Sequence, residues 1–161
     1  MQKGEPIMNI EEKLENLKIK YDIVEHPAVY TVEEAKQKVP NIDGIGCKNL
    51  FLKTKKKEYF LYTLPDDKQI DLKELSKKLS VTRFHFASAE SLEDILNIIP
   101  GSVTPLAIIN DNENKVTVVL DKELKNKKIL VHPNRNTATI SIFYQDLIKL
   151  IESENHKIIE I

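Results

Sequence analysis

The 161-residue chain is poor in the residues that staple, anchor or punctuate a fold: one cysteine, no tryptophan, four glycines and two methionines. A single thiol cannot close a bridge within the chain, which excludes a disulfide-stapled secreted scaffold. No stretch approaches the roughly 20 consecutive apolar residues that a membrane-spanning helix needs. The first ten residues, MQKGEPIMNI, lack the apolar core of a signal peptide. Residues 1–7 are expected to be a leader or an appended segment, because the second methionine, Met8, directly precedes the first helical pattern. GxGxxG, the phosphate-binding P-loop, HExxH and spaced Cys or His sets are all missing, so dinucleotide, nucleoside-triphosphate and zinc chemistry have no motif to rest on. No cofactor and no metal are expected.

What remains describes an ordinary globular domain. With 41% hydrophobic and 30% charged residues, the chain can bury about two-thirds of its unfolded surface in one core. One domain over residues 8–161 and a cytoplasmic location are expected. Lys and Arg number 24 against 25 acids, for a net charge of −1. The balance is uneven, however. Residues 47–85 hold ten basic side chains against five acidic ones. Such a local positive field suits a partner that is anionic in one place, such as the end of an RNA; it is equally the pattern of a solvated lysine-rich face.

Local signals give the elements. Asn9 can cap a helix reaching Lys20, with Ile10, Leu14 and Leu17 on one face and Glu11 and Glu12 at its positive end. A strand over 21–26 stops at Pro27. Thr31 and Glu34 make a capping box, with the glutamate expected to bond back to the threonine amide, and open a helix that ends near Pro40. Residues 41–46, with two glycines, form a loop that leads into CKNLFLK. The β-prone runs 47–53 and 58–64, joined by the lysine-rich 54–57, predict a hairpin. Asp71 and Glu74 repeat the capping pattern ahead of Leu72, Leu75 and Leu79. A strand follows over 83–87, and Ser88 or Ser91 starts a helix ended by Pro100 and Gly101. Residues 105–110 and 116–120 predict a second hairpin around the polar 111–115. Further strands fall at 128–131 and 137–142, a last helix over 143–153 turns Leu147, Leu150 and Ile151 inward, and HKIIEI adds an edge strand. Hairpins outnumber βαβ signals, which favours an α+β fold built on a mixed or antiparallel sheet.

Few residues are placed for chemistry. Lys48 stands at the mouth of the apolar run CKNLFL, just past the glycine-bearing loop, where an ammonium can neutralise a phosphate or polarise a carbonyl. The alternative is a solvated lysine at a strand end. Cys47 is the one thiol, and a lone cysteine at a strand start is also a small core residue. Gly101, Ser102, Val103, Thr104 and Pro105 join a helix to a strand, and backbone amides in such a turn can converge on a carbonyl oxygen or its oxyanion. His132-Pro133 and His26-Pro27 begin polar turns, where a histidine donates a hydrogen bond, titrates or simply caps.

Taken together, HPAVYTVEEA (26–35), GCKNLFLK (46–53), RFHFAS (83–88), PGSVTPLAIIND (100–111), VTVVLD (116–121) and HPNRNTATISI (132–142) resemble the bacterial prolyl-tRNA editing family. This is the YbaK-like family, also found as the insertion domain of bacterial prolyl-tRNA synthetases. The resemblance runs from about Met8 to the end. The GSVTP form of the Gly-x-x-x-Pro loop, followed by LAIIND and HPNRNTAT, is most similar to the freestanding Ala-tRNA(Pro) deacylases; relatives prefer Cys, Ser or Thr esters.

The resemblance implies an editing-domain fold, a mixed and largely antiparallel sheet surrounded by helices. It also implies hydrolysis of a mischarged aminoacyl ester on tRNA(Pro). Lys48 matches the family's essential lysine, with Asn49 beside it. Gly101 and Pro105 frame the substrate loop, and His132 matches the pocket histidine. Lys53, Lys55, Lys56 and Lys57 become candidate acceptor-stem contacts. The implied partners are the aminoacylated 3′ end of tRNA(Pro) and prolyl-tRNA synthetase, with no membrane. Two rival readings stand beside this one: a non-catalytic module that binds an amino acid or aminoacyl-tRNA, and thiol chemistry at Cys47.

Overall fold

The computed structural model describes residues 9–161, so the expected leader at 1–7 lies outside the described residues. Helix α1 (Ile10–Asn16) begins as its cap dictates, with the Asn9 side chain accepting from the Glu11 amide. It stops short of Lys20 because Lys18 turns into the left-handed region at φ 59°. Strand β1 (Asp22–Glu25) and helix α2 (Val32–Lys38) follow. Thr31 Oγ1 accepts from the Glu34 amide, but Glu34 Oε1 accepts from Tyr30 N rather than from Thr31 N, so the box closes one residue earlier than expected.

Strands β2 (Ile45–Lys53) and β3 (Tyr59–Pro65) form the anticipated hairpin, antiparallel from Cys47↔Pro65 to Lys53↔Tyr59. Helix α3 (Leu72–Lys78) is capped by Asp71, and helix α4 (Ala89–Leu96) by Ser88. Between them the predicted strand shrinks to β4 (His85–Phe86). Asn97, left-handed at φ 54°, ends α4 before Pro100 is reached. Strands β5 (Val116–Leu120), β6 (Lys128–Val131) and β7 (Ala138–Phe143), helix α5 (Tyr144–Ser153) and strand β8 (Ile158–Glu160) complete the chain.

One expectation is overturned. Pro105–Asn110 is a 3-10 helix, and β5 makes no hairpin with it but lies parallel to β3. An apolar run of this length does not distinguish a buried strand from a buried helix by period. Pro105 at the first helical position and Thr104, whose hydroxyl accepts from the Leu106 amide, decide for the helix.

The sheet runs β1-β7-β6-β2-β3-β5-β8, with β4 on β2. Among the described residues four pairings are antiparallel and three parallel. Alternation along the central strands feeds two cores. Phe51 and Leu61 join α1, α4 and α5 on one side, while Leu52, Phe60, Tyr62 and Leu64 meet Leu75 of α3 on the other. Helix α5 is too short to hold its shape alone. Leu147, Leu150 and Ile151, all fully buried, dock it as the sequence pattern requires. No helix of the described residues is long and apolar enough to cross a membrane.

Candidate active site

At the end of the sheet where β2 begins, an open cavity of about 390 Å³ is walled by six separate stretches of chain. That volume suits a small ligand or the terminus of a larger one, not an RNA stem. Val32, Ala35 and Lys36 of α2, spaced to share a helix face, form one wall together with Val39 at its C-cap. Gly46, Cys47, Lys48 and Asn49 of β2 form the floor, and Leu130, Val131 and His132 at the end of β6 stand opposite. Gly101 and Val103 close one side; Tyr30, with 65% of its surface exposed, marks the rim.

The cavity exists because two strands part. Gly46 O accepts from Asp66 N at 2.9 Å, and Thr54 N donates to Glu58 O at 3.0 Å. These bonds fix the ladder phase: even-numbered residues of β2 turn their backbone polar groups toward β3, and odd-numbered residues turn theirs to the opposite edge. On that edge β6 pairs only with Ile45 and Gly46, and β4 only with Leu52 and Lys53. The backbone N–H and C=O of Asn49 therefore open into the gap without a strand partner among the described residues. Its side chain is also oriented, since the fully buried Thr63 hydroxyl donates to Asn49 Oδ1 at 2.6 Å and leaves the Nδ2 donors for a ligand. Lys48 lies on the other face of the strand, where the apolar series Leu52 and Leu50 ends. Among the described residues it makes no ion pair.

Structure narrows the 101–105 segment. Gly101 and Val103 line the cavity, whereas Ser102, Thr104 and Pro105 are buried beneath it and support the turn. One of its donors is already engaged, Ser102 N with Ile99 O, and the Thr104 hydroxyl is held as the acceptor of Leu106 N. A methyl group at position 101 would press on the Tyr30 ring at 2.8 Å and on Asn136 Nδ2 at 3.2 Å. Asn136 in turn ties Val29 to this corner through its backbone and side chain. Glycine at 101 thus eases close packing against Tyr30 and Asn136 and answers no left-handed backbone.

His132 is brought to the same cavity. Its Nδ1 lies 2.9 Å from Ala138 O, an acceptor only, so Nδ1 carries the proton and Nε2 keeps a lone pair when the ring is neutral. Burial lowers the His132 pKa, and the nearby His26 adds to this against the pull of the Ala138 carbonyl. The neutral ring is therefore favoured. His26, whose ring centroid is 6.3 Å away, is held by its own hydrogen bonds: Nδ1 donates to Pro27 O at 2.9 Å, and Nε2 lies 2.8 Å from the Thr139 hydroxyl.

Cys47 is ill suited to nucleophilic chemistry. Burial pushes its thiol up to about 12, with Asp66 and Asp121 contributing in the same direction, and its Sγ donates to Ile45 O at 3.4 Å. A protonated thiol is a poor nucleophile. Cys47→Ala is expected to retain activity within about twofold, as measured by initial rates; abolished turnover would restore the thiol reading.

The candidate contacts Lys53, Lys55, Lys56 and Lys57 are not at the cavity. Lys55, Lys56 and Lys57 are exposed at the hairpin turn. Lys55 stands six positions beyond Asn49, roughly 20 Å at the usual strand rise. Most of the other lining residues escaped the sequence reading, among them Tyr30, Lys36, Thr139 and Asp66. The signal for Asp66 was present in the hairpin, because the β2–β3 register continues one step to set Asp66 opposite Gly46.

A family model described as an aminoacyl-tRNA editing domain matches residues 26–150, a span that contains every cavity-lining residue. The chain belongs to this family. An editing domain cleaves the aminoacyl ester, so the chain is an enzyme of the aminoacyl-tRNA hydrolase class. It is 40% identical over 147 residues to the prolyl-tRNA editing protein ProX of Acetoanaerobium sticklandii, covering 89% of each chain. It is also 40% identical over 150 residues to prolyl-tRNA synthetase associated domain-containing protein 1 of Danio rerio, covering 91% of this chain and 82% of that one. A solved structure of a candidate trans-editing enzyme for prolyl tRNA synthetase shares the fold, with a TM-score of 0.71 at 20% identity over 94% of this chain and 93% of the other.

Proposed function

We propose that this editing domain acts in trans on mischarged tRNA(Pro), hydrolysing the ester that joins alanine to the terminal ribose. The observation that carries this reading is the meeting of Lys48, Asn49, Gly101, Val103 and His132 on one small cavity, in a chain 40% identical to a prolyl-tRNA editing protein. A synthetase discriminates poorly against a smaller side chain, since one methylene is worth only about 1–3 kcal/mol, and a second hydrolytic site removes the error. Alanine passes a proline pocket. A cavity narrowed by Val103 and His132 then admits alanine and excludes proline.

In this mechanism Lys48 holds the terminal phosphate or the ester region and fixes the carbonyl over the floor of the cavity. Charge that develops on the carbonyl oxygen meets the unpaired N–H of Asn49, its Nδ2 donors and the amides of Gly101 and Val103, which line the cavity. Water attacks the carbonyl carbon, the acyl–oxygen bond breaks, and the ribose oxygen leaves with a proton. A neighbouring ribose hydroxyl relays that proton, so no side-chain nucleophile is needed. Neutral His132 offers its Nε2 lone pair to the attacking water or to the substrate. The site needs no metal or cofactor for these steps. The reaction takes place in the cytoplasm, with prolyl-tRNA synthetase as the source of the mischarged substrate.

Deacylation of Ala-, Cys-, Ser- and Pro-tRNA(Pro), measured side by side, tests the proposal. Selective loss of the alanyl ester is the expected result. Faster cleavage of the cysteinyl or seryl ester would reassign the substrate, and tight binding of all four without turnover would favour a binding module.

The hairpin lysines serve the body of the tRNA. Reversing Lys55, Lys56 and Lys57 together to glutamate is expected to weaken tRNA binding at low salt and to flatten its salt dependence, each lost phosphate contact reducing the slope by about 0.7–0.9. An unchanged affinity and slope would remove the hairpin from the interface.

A further inference from the structure

Among the 22 residues lining the cavity, Asp66 carries the one carboxylate, and Lys36 and Lys48 carry the ammonium groups. It sits just past β3, where Asp66 N continues the ladder to Gly46 O. Strand alternation therefore puts Gly46, Lys48, Leu64 and Asp66 on one face, with Lys48 and Asp66 as diagonal neighbours. The absence of a side chain at Gly46 makes room for the acid: a methyl group there would overlap the Asp66 carboxylate.

The two charges share a face without forming an ion pair with each other among the described residues. Lys68, the next cation along the chain, is committed elsewhere, to Asp121 and Glu123 at 2.8 Å each. Asp66 is thus a half-buried anion that the described residues leave without a cationic partner, inside a cavity otherwise equipped for anions. An aminoacylated 3′ end presents matching charges, a terminal phosphate and, a few bonds away, the α-ammonium of the amino acid.

We propose that Asp66 is the receptor for the α-ammonium group of the esterified amino acid, orienting the acyl group while Lys48 holds the phosphate side. The inference rests on the editing function proposed above and adds a selection criterion to it. An acyl group with a free α-ammonium is bound productively, and one whose nitrogen is acylated or replaced by a hydroxyl is not. Gly46 is part of this device, since any larger residue displaces the carboxylate.

The test compares alanyl-tRNA(Pro) with lactyl-tRNA(Pro), which differs by a hydroxyl in place of the ammonium, for the wild type, Asp66→Asn and Gly46→Ala. The wild type is expected to hydrolyse the alanyl ester at least about tenfold faster in kcat/KM. Asp66→Asn and Gly46→Ala should lose most of that ratio, because the alanyl rate falls much further than the lactyl rate. Circular dichroism and a thermal melt confirm that each variant is folded. An alanyl-to-lactyl ratio in Asp66→Asn equal to that of the wild type overturns the proposal, as does an equal fall on both esters.

A binding arm separates this inference from the reading it rests on. Adenosine carrying L-alanine in amide linkage at the 3′ position, which cannot be hydrolysed as an ester, is titrated beside its lactyl counterpart. If the wild type cleaves no ester yet prefers the alanyl compound, and Asp66→Asn abolishes the preference, editing fails and ammonium recognition stands. Equal wild-type affinity for the two compounds overturns ammonium recognition whatever the esters do.

Discussion

Lys48→Ala is expected to lower deacylation of Ala-tRNA(Pro) by at least about tenfold, a loss of roughly 1.4 kcal/mol in transition-state stabilisation. The lysine stands where the apolar series of β2 gives way to the cavity, and among the described residues no carboxylate neutralises it. Removing it leaves the substrate phosphate or the polarised carbonyl without a cation in a partly enclosed site, where charge is screened less than in water. The loss should fall on kcat/KM, with a rise in KM if the ammonium holds only the phosphate and a fall in kcat if it also steadies the developing oxyanion. Lys48→Arg keeps the charge but replaces a compact ammonium with a planar fork, so partial activity at most is expected. Wild-type turnover by Lys48→Ala would remove the residue from the mechanism.

The largest expected effect on stability lies far from the cavity. Asp111 and His156, both almost fully buried, pin the approach to β5 against the turn after α5, with His156 Nε2 at 2.9 Å from Asp111 Oδ2. The same oxygen accepts from Val116 N at 2.8 Å. Burial by itself would raise the Asp111 pKa; the bonds from His156, Lys115 N and Val116 N outweigh it and hold the carboxyl below the ordinary aspartate value. Asp111→Ala strands these donors and should cost about 3–5 kcal/mol at neutral pH, measured by urea unfolding.

The sign of the pH dependence follows from the lowered pKa. The carboxylate contributes its full stability above the unfolded value near 3.9, and that contribution is lost as pH falls through the lower folded value. The gap between wild type and Asp111→Ala should therefore narrow as pH falls below about 4. A gap under about 1 kcal/mol, or one that does not change with acid, would show that the pair adds little.

Much of the fold was legible locally. Asn9, Thr31 and Asp71 cap the helices assigned to them from sequence, and Ser88 caps the one for which Ser88 and Ser91 were both candidates, because a capping side chain and the amides it satisfies lie within three residues of each other. The β2–β3 hairpin was legible for a similar reason, as its turn and its two apolar runs are contiguous. What failed was longer in range. The run 105–110 offered no period that separates a strand from a buried helix, and the parallel union of β5 with β3 joins residues more than fifty positions apart.

The candidate site divides along the same line. Composition, the lysine at the mouth of CKNLFL, the glycine-bearing turn at 101 and the histidine at 132 are properties of the sequence itself, and with the motif order they determined the family and the chemistry to expect. Only the tertiary structure decided which residues meet. It separated Gly101 and Val103, which face the cavity, from Ser102, Thr104 and Pro105, which support it, and it moved the lysine-rich turn to the far end of the hairpin. It also exposed the backbone of Asn49 and admitted Asp66. The reason is physical: a strand's side-chain alternation is written in its own residues, but whether its edge is paired or open depends on where β6 and β4 attach, and that is set by packing between segments distant in sequence.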